Sequence, residues 1–491
     1  MSSSQPPSET LLVFSDVHLG SDIDERQGNA PRRSTAVDKD LVDLIAYYRR
    51  KAPGADRWRI VIAGDFIDFI GMTVAPSEGE ALATPLTEEE AQHGIGGAAD
   101  HARMKLRRVA SRHADVFAEL AAFVAAGHAL SIVHGNHDIE FHWDEVKSDF
   151  RAILLAHAKG LDASLDHDAA RDAFHARIEF DPWFFWRDGI AYIEHGHQYD
   201  PFCATANVMM PLSAFDPRRI ARGFCDVLIR YVVRPTRGMK EHGHENVGLA
   251  YYVAFGARLG IRGMAKLGLR FARAVLELFR LRRAYVSEAA HVLRAEHEQR
   301  VAQLAMAKRI GIDRLRALLG LQVPPITSSI RGILASVLLD RLALALLASM
   351  ALAGIAIATA FQGHAVWGAF GVLVAWSLLH RHLSKQRTVD PAAQMVERAS
   401  HLAKLFPAAF VVMGHTHVPT SVRAGAATYI NVGSWAEEEP AAGEEPASAG
   451  AYRAARTHLV IRVEGERPEA QFCTWASSSD GGDTGPRRFD V

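Results

Sequence analysis

Five short polar blocks, each at the end of an apolar run, constrain this chain more than any other feature. They read Asp16-Val17-His18, Gly64-Asp65-Phe66-Ile67-Asp68, Gly135-Asn136-His137-Asp138, His195-Gly196-His197 and Gly414-His415-Thr416-His417. The runs before them are Leu11–Phe14, Arg59–Ile62, Leu130–Val133, Ile190–Ile193 and Phe410–Met413, and their β-rich composition predicts strands. Strands whose carboxyl ends deliver Asp, Asn and His into one crevice are how α/β folds build ligand sites. Taken singly, Asp16 and His18 read as a strand-end cap and Gly135-Asn136 as a hairpin turn. Five such blocks in succession point instead to one shared site.

Carboxylate, amide and imidazole donors without a thiolate suit hard-to-borderline divalent ions such as Mn, Fe, Zn or Mg. Asp16, His18, Asp65, Asn136, His195, His415 and His417 make seven candidate ligands. One ion of about four to six positions cannot use them all, whereas two ions sharing a bridge can. Asp65 is the natural bridge, because its two oxygens can hold cations about 3.5–4 Å apart. His415 and His417 are separated by one residue, so a turn can aim each imidazole at a different ion. Such a pair would lower the pKa of a bound water and hold a phosphoryl oxygen against it, as in-line attack on phosphorus requires.

These blocks resemble the calcineurin-like metallophosphoesterase superfamily, over roughly Leu11–His197 and Phe410–Val463. The stretch Tyr429-Ile430-Asn431-Val432-Gly433-Ser434 also resembles the family's closing strand and turn. The resemblance implies an α/β fold, a four-layer αββα sandwich, with two divalent metal ions as cofactors and Mn favoured over Fe, Zn or Mg. It implies that Asp16, His18, Asp65 and His417 surround the first ion, and Asp65, Asn136, His195 and His415 the second. It further implies that His137 protonates the leaving oxygen, with Asp138 orienting that imidazole. Asp68 reads as a substrate contact or a brace of its own loop, and His197 as a support of the site or a solvated histidine. His134 reads as a strand residue. Asp22-Ile23-Asp24-Glu25 and Asp166-His167-Asp168 read as solvated loop charge.

The chain has 491 residues and a net charge of −1, which leaves room for a large core and gives no case for nucleic acid as a partner. Cys203, Cys225 and Cys473 show no pairing pattern and favour a reducing compartment. The polar start, Met1-Ser2-Ser3-Ser4-Gln5-Pro6-Pro7, has no hydrophobic signal core, so secretion is not expected. The signature itself is split between His197 and Gly414. Residues 10–200 and 390–475 would form the two catalytic halves, 201–325 a helical insertion serving as a membrane-surface cap, and 476–491 a disordered tail. Glu437–Gly450 reads as a surface loop.

Residues 333–380 are expected to form a transmembrane helical hairpin. Leu342–Phe361 carries no charge, and after Gln362-Gly363-His364 the run Ala365–Leu379 is again uncharged. The first is long enough to span a ~30 Å hydrocarbon core as a helix, and the second is about five residues short. The alternative is a buried helical hairpin in a soluble domain. His415 and His417 must return to the side of Asp16, Asp65 and Asn136, so only zero or two crossings are compatible with one site. Arg331 and Arg341 before the hairpin, and Arg381, Lys385 and Arg387 after it, place both ends in the cytoplasm. Trp367 and Trp376 suit interface anchors or packing between the two helices. Upstream, Arg258, Arg262, Lys266, Arg270 and Arg273 recur at helical spacing among Leu259, Ile261, Met264, Leu267 and Phe271. A helix there would lay a basic, apolar face on an anionic membrane, although Gly256, Gly260, Gly263 and Gly268 weaken it.

The expected function is a membrane-attached, dinuclear-metal phosphoesterase on the cytoplasmic face of the inner membrane, acting on a phosphoester or pyrophosphate bond. A bilayer-resident substrate such as a nucleotide-linked lipid would explain the hairpin. The Asp16-Val17-His18-Leu19-Gly20 opening and the His195-Gly196 pair are similar to the UDP-2,3-diacylglucosamine pyrophosphatases, which are shorter and lack such a hairpin. The alternatives are a phosphodiesterase or phosphatase for soluble phosphoesters and a non-catalytic membrane adaptor that keeps the fold. A protein phosphatase fits less well, because Phe69-Ile70 follows Asp68 where that branch carries Arg-Gly. Trp183, Phe184, Phe185 and Trp186 read as strand core or as a pocket lining.

Overall fold

The computed structural model describes residues 9–26, 35–51, 57–76, 79–236, 239, 249–337, 339–359, 365–387, 390–436, 456–464, 467–477 and 484–489. The surface loop expected at Glu437–Gly450 lies outside them. The fold is mixed α/β and carries two mixed sheets. Its strands are β1 (Glu9–Phe14), β2 (Arg57–Ala63), β3 (Ala129–Val133), β4 (Ile178–Asp181), β5 (Phe184–Arg187), β6 (Ala191–Glu194), β7 (Phe410–Met413), β8 (Thr420–Ala424), β9 (Ala427–Asn431), β10 (Thr457–Glu464), β11 (Arg467–Ala476) and β12 (Gly485–Arg488). One sheet runs β12-β11-β10-β1-β2-β3-β4, and the other β5-β6-β7-β9-β8.

The strands before all five blocks form as the sequence predicts, and their alternation sorts side chains onto two faces. Leu12, Phe14, Ile60, Ile62 and Ile132 join a core with Leu41, Leu106, Phe117 and Phe150, which come from the helices Thr35–Lys51, Ala99–Arg112, Ala114–Ala125 and Asp144–Lys159. Their neighbours Leu11, Val13, Val61 and Val133 meet Ile193, Val412 and Ile430 of the second sheet. The other face of that sheet, Tyr192, Val411, Met413 and Tyr429, packs on Val301, Leu315, Met395 and Leu402. Strands covered on both faces are apolar along their whole length, as β1 is from Leu11 to Phe14. Trp183, Phe184 and Phe185 are buried and belong to the core and not to a pocket lining.

The register places the site. Phe14 pairs in parallel with Ile62, and Ile62 with Ile132, so β1, β2 and β3 end side by side. Ile193 pairs with Val412 in the second sheet, and Gly414 N–H then donates to the His195 carbonyl at 3.1 Å.

The segment between blocks four and five is largely helical, with Leu249–Arg258, Gly260–Tyr285, Glu288–Ala307 and Ile312–Leu321. The basic series is therefore interrupted after Arg258, where Gly260 takes φ +71. The longer helix forms despite its glycines because it buries Leu267, Ala274 and Leu278 against Phe202, Phe224 and Val232. Farther on, Leu339–Thr359 and Ala365–Arg387 lie alongside each other, with Arg341 Nη2 reaching the Leu383 carbonyl at 3.4 Å. Among the described residues, Leu339–Ala358 is the one segment long and apolar enough to cross a membrane, with mean hydropathy 2.0 and none of it buried.

Two expectations are corrected. Residues 476–491 are not wholly a disordered tail, since β12 pairs antiparallel with β11, whose edge supplies the backbone partners that give a polar segment a strand. Asp22 is not solvated: it is buried and accepts from Arg112 Nε at 2.9 Å. Asp166 and Asp168 are exposed, as the sequence suggested.

Candidate metal centre

Each block leaves its strand by a turn that only particular backbones can make. Asp16 N–H donates to the Gly64 carbonyl at 3.2 Å and His18 N–H to the Asp65 carbonyl at 3.0 Å, which fastens the first two loops together. Gly64 takes φ +89, and a Cβ there would fall 2.5 Å from the His195 ring. A Cβ on Gly135 would fall 2.0 Å from Asp65 Oδ1. Both glycines are needed for loops to approach this closely.

The backbone is also strained where the polar side chains converge. Asp16, His18, Asp65, His415 and His417 have φ between 51 and 70, and they make up five of the seven non-glycine residues with positive φ among those described. Each such conformation costs about 1–3 kcal/mol, and strain of this kind gathers at functional sites.

Four groups of candidate ligands result among the described residues; one joins His18, Asp68 and His137, another Asp200, Cys203 and His415, and the other two lie at the expected centre. Asp16, His18 and His417 offer ligand atoms all within 4.8 Å of one another, as do Asp16, Asp65 and His195. His417 Nε2 stands 3.1 Å from Asp16 Oδ1, and His195 Nε2 stands 3.1 Å from both Asp65 Oδ2 and Asn136 Oδ1. His195 Nδ1 is 2.9 Å from the Ala63 carbonyl, which fixes the ring with Nε2 toward the centre. His18 Nε2 is 3.8 Å from Asp65 Oδ2, so Asp65 lies between the groups. His415 is the one expected ligand whose nearest partner lies elsewhere, with Nε2 3.0 Å from Asp200 Oδ2, although its ring stays 5.2 Å from that of His195.

The charges suit this arrangement. Burial opposes ionisation of Asp16 and Asp65, yet His195 and the other facing imidazoles hold both carboxyls well below the usual range. Burial would likewise lower His195, but Asp65 and Asp16 outweigh it and raise the imidazole to about 9. His197, expected either to support the site or to be solvated, is buried against His195 and lies far below its ordinary value for that reason first. His134, expected to be a strand residue, is buried one position beyond the end of β3.

His137 is placed by a different carboxylate from the one expected. Its Nδ1 lies 2.7 Å from Asp68 Oδ1, an atom that also accepts Gly71 N–H at 2.6 Å. Asp68, with Asp65 behind it, overcomes burial and lifts His137 to about 9. Asp138 does not orient this ring. Its Oδ2 accepts Phe66 N–H at 2.8 Å and its Oδ1 accepts Gly135 N–H at 2.6 Å, so it ties the second block to the third. Burial, with Asp65 nearby, pushes the Asp138 carboxyl up to about 7.

Three features had no signal in the sequence. Asp200, the partner of His415, belongs to the turn after block four, and no spacing pattern marks it. Cys203 and Cys225 bring their sulfurs to 3.2 Å. Both line a cavity of about 50 Å³ beside Asn136, together with Lys105, Glu140 and Arg222. In its wall, burial lowers Lys105 to about 8 and raises Glu140 to about 7. The sequence marks Asn431 only as part of a closing strand, not as a support of the site. It secures block five, its Nδ2 donating to the Gly414 carbonyl at 2.6 Å and to Thr416 Oγ1 at 3.0 Å. The chain matches no family model and no curated protein.

Proposed function

We propose that this protein is a dinuclear-metal phosphoesterase of the calcineurin-like kind, attached to a membrane through the paired helices Leu339–Thr359 and Ala365–Arg387. The observation that carries the reading is the convergence of Asp16, His18, Asp65, Asn136, His195 and His417 on one crevice, with the left-handed backbone concentrated there. The helix–sheet–sheet–helix order of the hydrophobic cores agrees with the fold that the resemblance implies.

The donor set fits two divalent ions: carboxylates that stay ionised, an amide oxygen and imidazoles, with no thiolate among them. Asp16, His18, Asp65 and His417 would hold one ion, and Asp65, Asn136 and His195 the other, with His415 completing it by leaving Asp200. When bound, such ions supply Lewis-acid activation of water and charge neutralisation at a phosphoryl oxygen. The chain's own part is then proton delivery. His137, kept protonated and oriented by Asp68, gives its proton to the departing oxygen. Asp138 and Gly135 keep His137 in place by fixing the loop.

Membrane attachment is supported by the uncovered apolar surface of the paired helices, where Trp367 is 80% exposed and Leu347, Met350, Ile357 and Phe370 are exposed as well. The preferred substrate is a phosphoester or pyrophosphate that itself resides in the bilayer, such as a nucleotide-linked lipid.

The test is a substrate panel with the Mn²⁺-loaded full chain, comparing nitrophenyl phosphoesters with nucleotide-linked lipids. Hydrolysis that disappears in Asp65→Asn supports the reading, and no hydrolysis of any member by the parent protein overturns it in favour of an adaptor. Membranes washed with high salt and then carbonate test attachment. Retention is expected, and release by either wash overturns integral insertion.

A further inference from the structure

A cleft of about 290 Å³ lies beside the first two loops, and five arginines line it: Arg26, Arg230, Arg234, Arg270 and Arg273. Among the described residues lining it, Asp24 is the one carboxylate. These cations come from separate parts of the chain. Arg26 follows the first loop, Arg230 and Arg234 follow helix Phe224–Leu228, and Arg270 and Arg273 belong to helix Gly260–Tyr285. Convergence from three segments differs from a run of like charge on one solvated helix face.

Several of these guanidinium groups bond to neutral acceptors and so keep their charge. Arg26 donates to the carbonyls of Gln92 and Ala91, and Arg270 Nη1 donates to Thr236 Oγ1 at 2.8 Å. Arg230 is offset by Glu89. The cleft is also tied to the metal loops. Arg234 donates to the Ser21 carbonyl, and Ser21 N–H bonds the His18 carbonyl at 3.2 Å. Thr73 in its wall bonds the Ile23 carbonyl at 2.9 Å, five residues past Asp68. His93, also in the wall, is lowered first by burial; Glu89 opposes this, and Arg230, Arg222 and Arg26 add to it.

We propose that this cleft is a second phosphate site, taking a phosphate group of the ligand other than the one attacked at the metal centre. Planar guanidinium forks match phosphate oxygens in pairs, and several of them converging in a recess select multiply charged phosphates over single ones. The substrate class that follows is a molecule with two phosphoryl groups, or a phosphodiester with a second anionic headgroup. The assignment of the attacked phosphate rests on the phosphoesterase reading, whereas binding in the cleft can be measured without it. Lys266 and Arg262, about one and two turns before Arg270 on the same helix, are exposed and add to its positive charge.

The experiment titrates the Mn²⁺-loaded full chain in detergent with inorganic pyrophosphate and, separately, with a short-chain phosphatidic acid, using short-chain phosphatidylcholine as control. The variants are Arg26→Gln, which sits on an exposed loop where folding is safe, and Arg270→Gln combined with Arg273→Gln. Arg26→Gln is expected to weaken binding by about tenfold, the loss of one charge-assisted bond, and the double variant, which removes two guanidinium groups, by about a hundredfold; added salt should also weaken binding by the parent. Weakening in the pyrophosphate arm alone identifies a soluble ligand, and weakening in the lipid arm identifies a headgroup; either supports the site. Equal affinities of parent and variants for both ligands overturn it. Hydrolysis of bis(4-nitrophenyl) phosphate is measured in parallel. Arginine-dependent binding without hydrolysis would leave the cleft standing and remove the phosphoesterase reading, whereas hydrolysis with arginine-independent binding would do the reverse.

Discussion

Replacing Asp68 by Asn separates the arrangement around His137 from the one its neighbour in sequence suggests. Asp68 Oδ1 lies 2.7 Å from His137 Nδ1, and this carboxylate is the main influence raising the imidazole to about 9 against the effect of burial. A hydrogen bond between charged groups contributes about 1.5–3 kcal/mol. If the bond acts fully on proton donation, its loss lowers kcat by roughly 10- to 100-fold at about 1.4 kcal/mol per decade. A proton donor works below its own pKa, and without the Asp68 anion burial draws His137 downward, so the alkaline limb of activity moves to lower pH. KM and bound metal should hold constant, because Asp68 positions His137 and is not among the proposed ligands. The assay is kcat, KM and metal content of the Mn²⁺-loaded protein across pH with a nitrophenyl phosphodiester. An unchanged kcat with an unmoved alkaline limb would refute the reasoning. Asp138→Asn should behave differently: its amide would set an NH₂ against the N–H of Gly135 or Phe66, destabilising the fold by about 1–3 kcal/mol, measurable by denaturant unfolding.

Metal loading should depend on pH, because His195, raised to about 9 by Asp65 and Asp16 against burial, must lose its proton to ligate. Affinity is expected to rise by about tenfold per pH unit below that value, with proton release detectable by calorimetry in buffers of different ionisation enthalpy; pH-independent affinity would sink the assignment. Gly135→Ala places a Cβ 2.0 Å from Asp65 Oδ1, so the protein should fold, by circular dichroism, yet lose most of its bound metal. Full metal content in that variant would show that the loops can part without harm. The sulfurs of Cys203 and Cys225, 3.2 Å apart, should be joined by the oxidant diamide while Cys473 stays a thiol, as mapped by mass spectrometry of non-reduced peptides. Recovery of both as thiols after treatment would count against their proximity.

What the sequence revealed and what it hid divide along a physical line. The strands before each block were legible because an apolar run buried on both faces leaves a composition signal that needs no partner, as Leu11–Phe14 does. The ligand types were legible because each stands at a strand end. Contacts across loops were not. Asp138 adjoins His137 in sequence and so appeared to be its support, but the unfilled N–H groups of Phe66 and Gly135 take both of its oxygens, and Asp68 reaches the ring from a separate loop. Asp200 meets His415 across 215 positions, a pairing that no local pattern encodes. Glycine content argued against helix Gly260–Tyr285, yet burial of Leu267 and Leu278 outweighs about 1 kcal/mol of propensity per glycine. Edge strand β12 formed where composition suggested disorder, because β11 offered an open ladder.

Block five returns to the candidate metal centre after the paired helices. His415 and His417 must reach the side where Asp16 and Asp65 stand, and the sequence could state this only as an even number of crossings. The structure meets the requirement locally. Arg341, near the start of the first apolar helix, bonds the Leu383 carbonyl near the end of the second, so the chain enters and leaves the pair at one end. Helix Pro391–Leu405 then packs Met395, Ala399 and Leu402 under Val411 and Met413, and β7 delivers block five beside His195. Completion of the site therefore requires only that the chain leave and re-enter at one end, whatever surrounds the apolar surface of the two helices. It follows that replacing Leu339–Arg387 by a short flexible linker should leave metal binding intact while removing membrane retention; loss of both would mean that the paired helices also hold the two halves of the site in register.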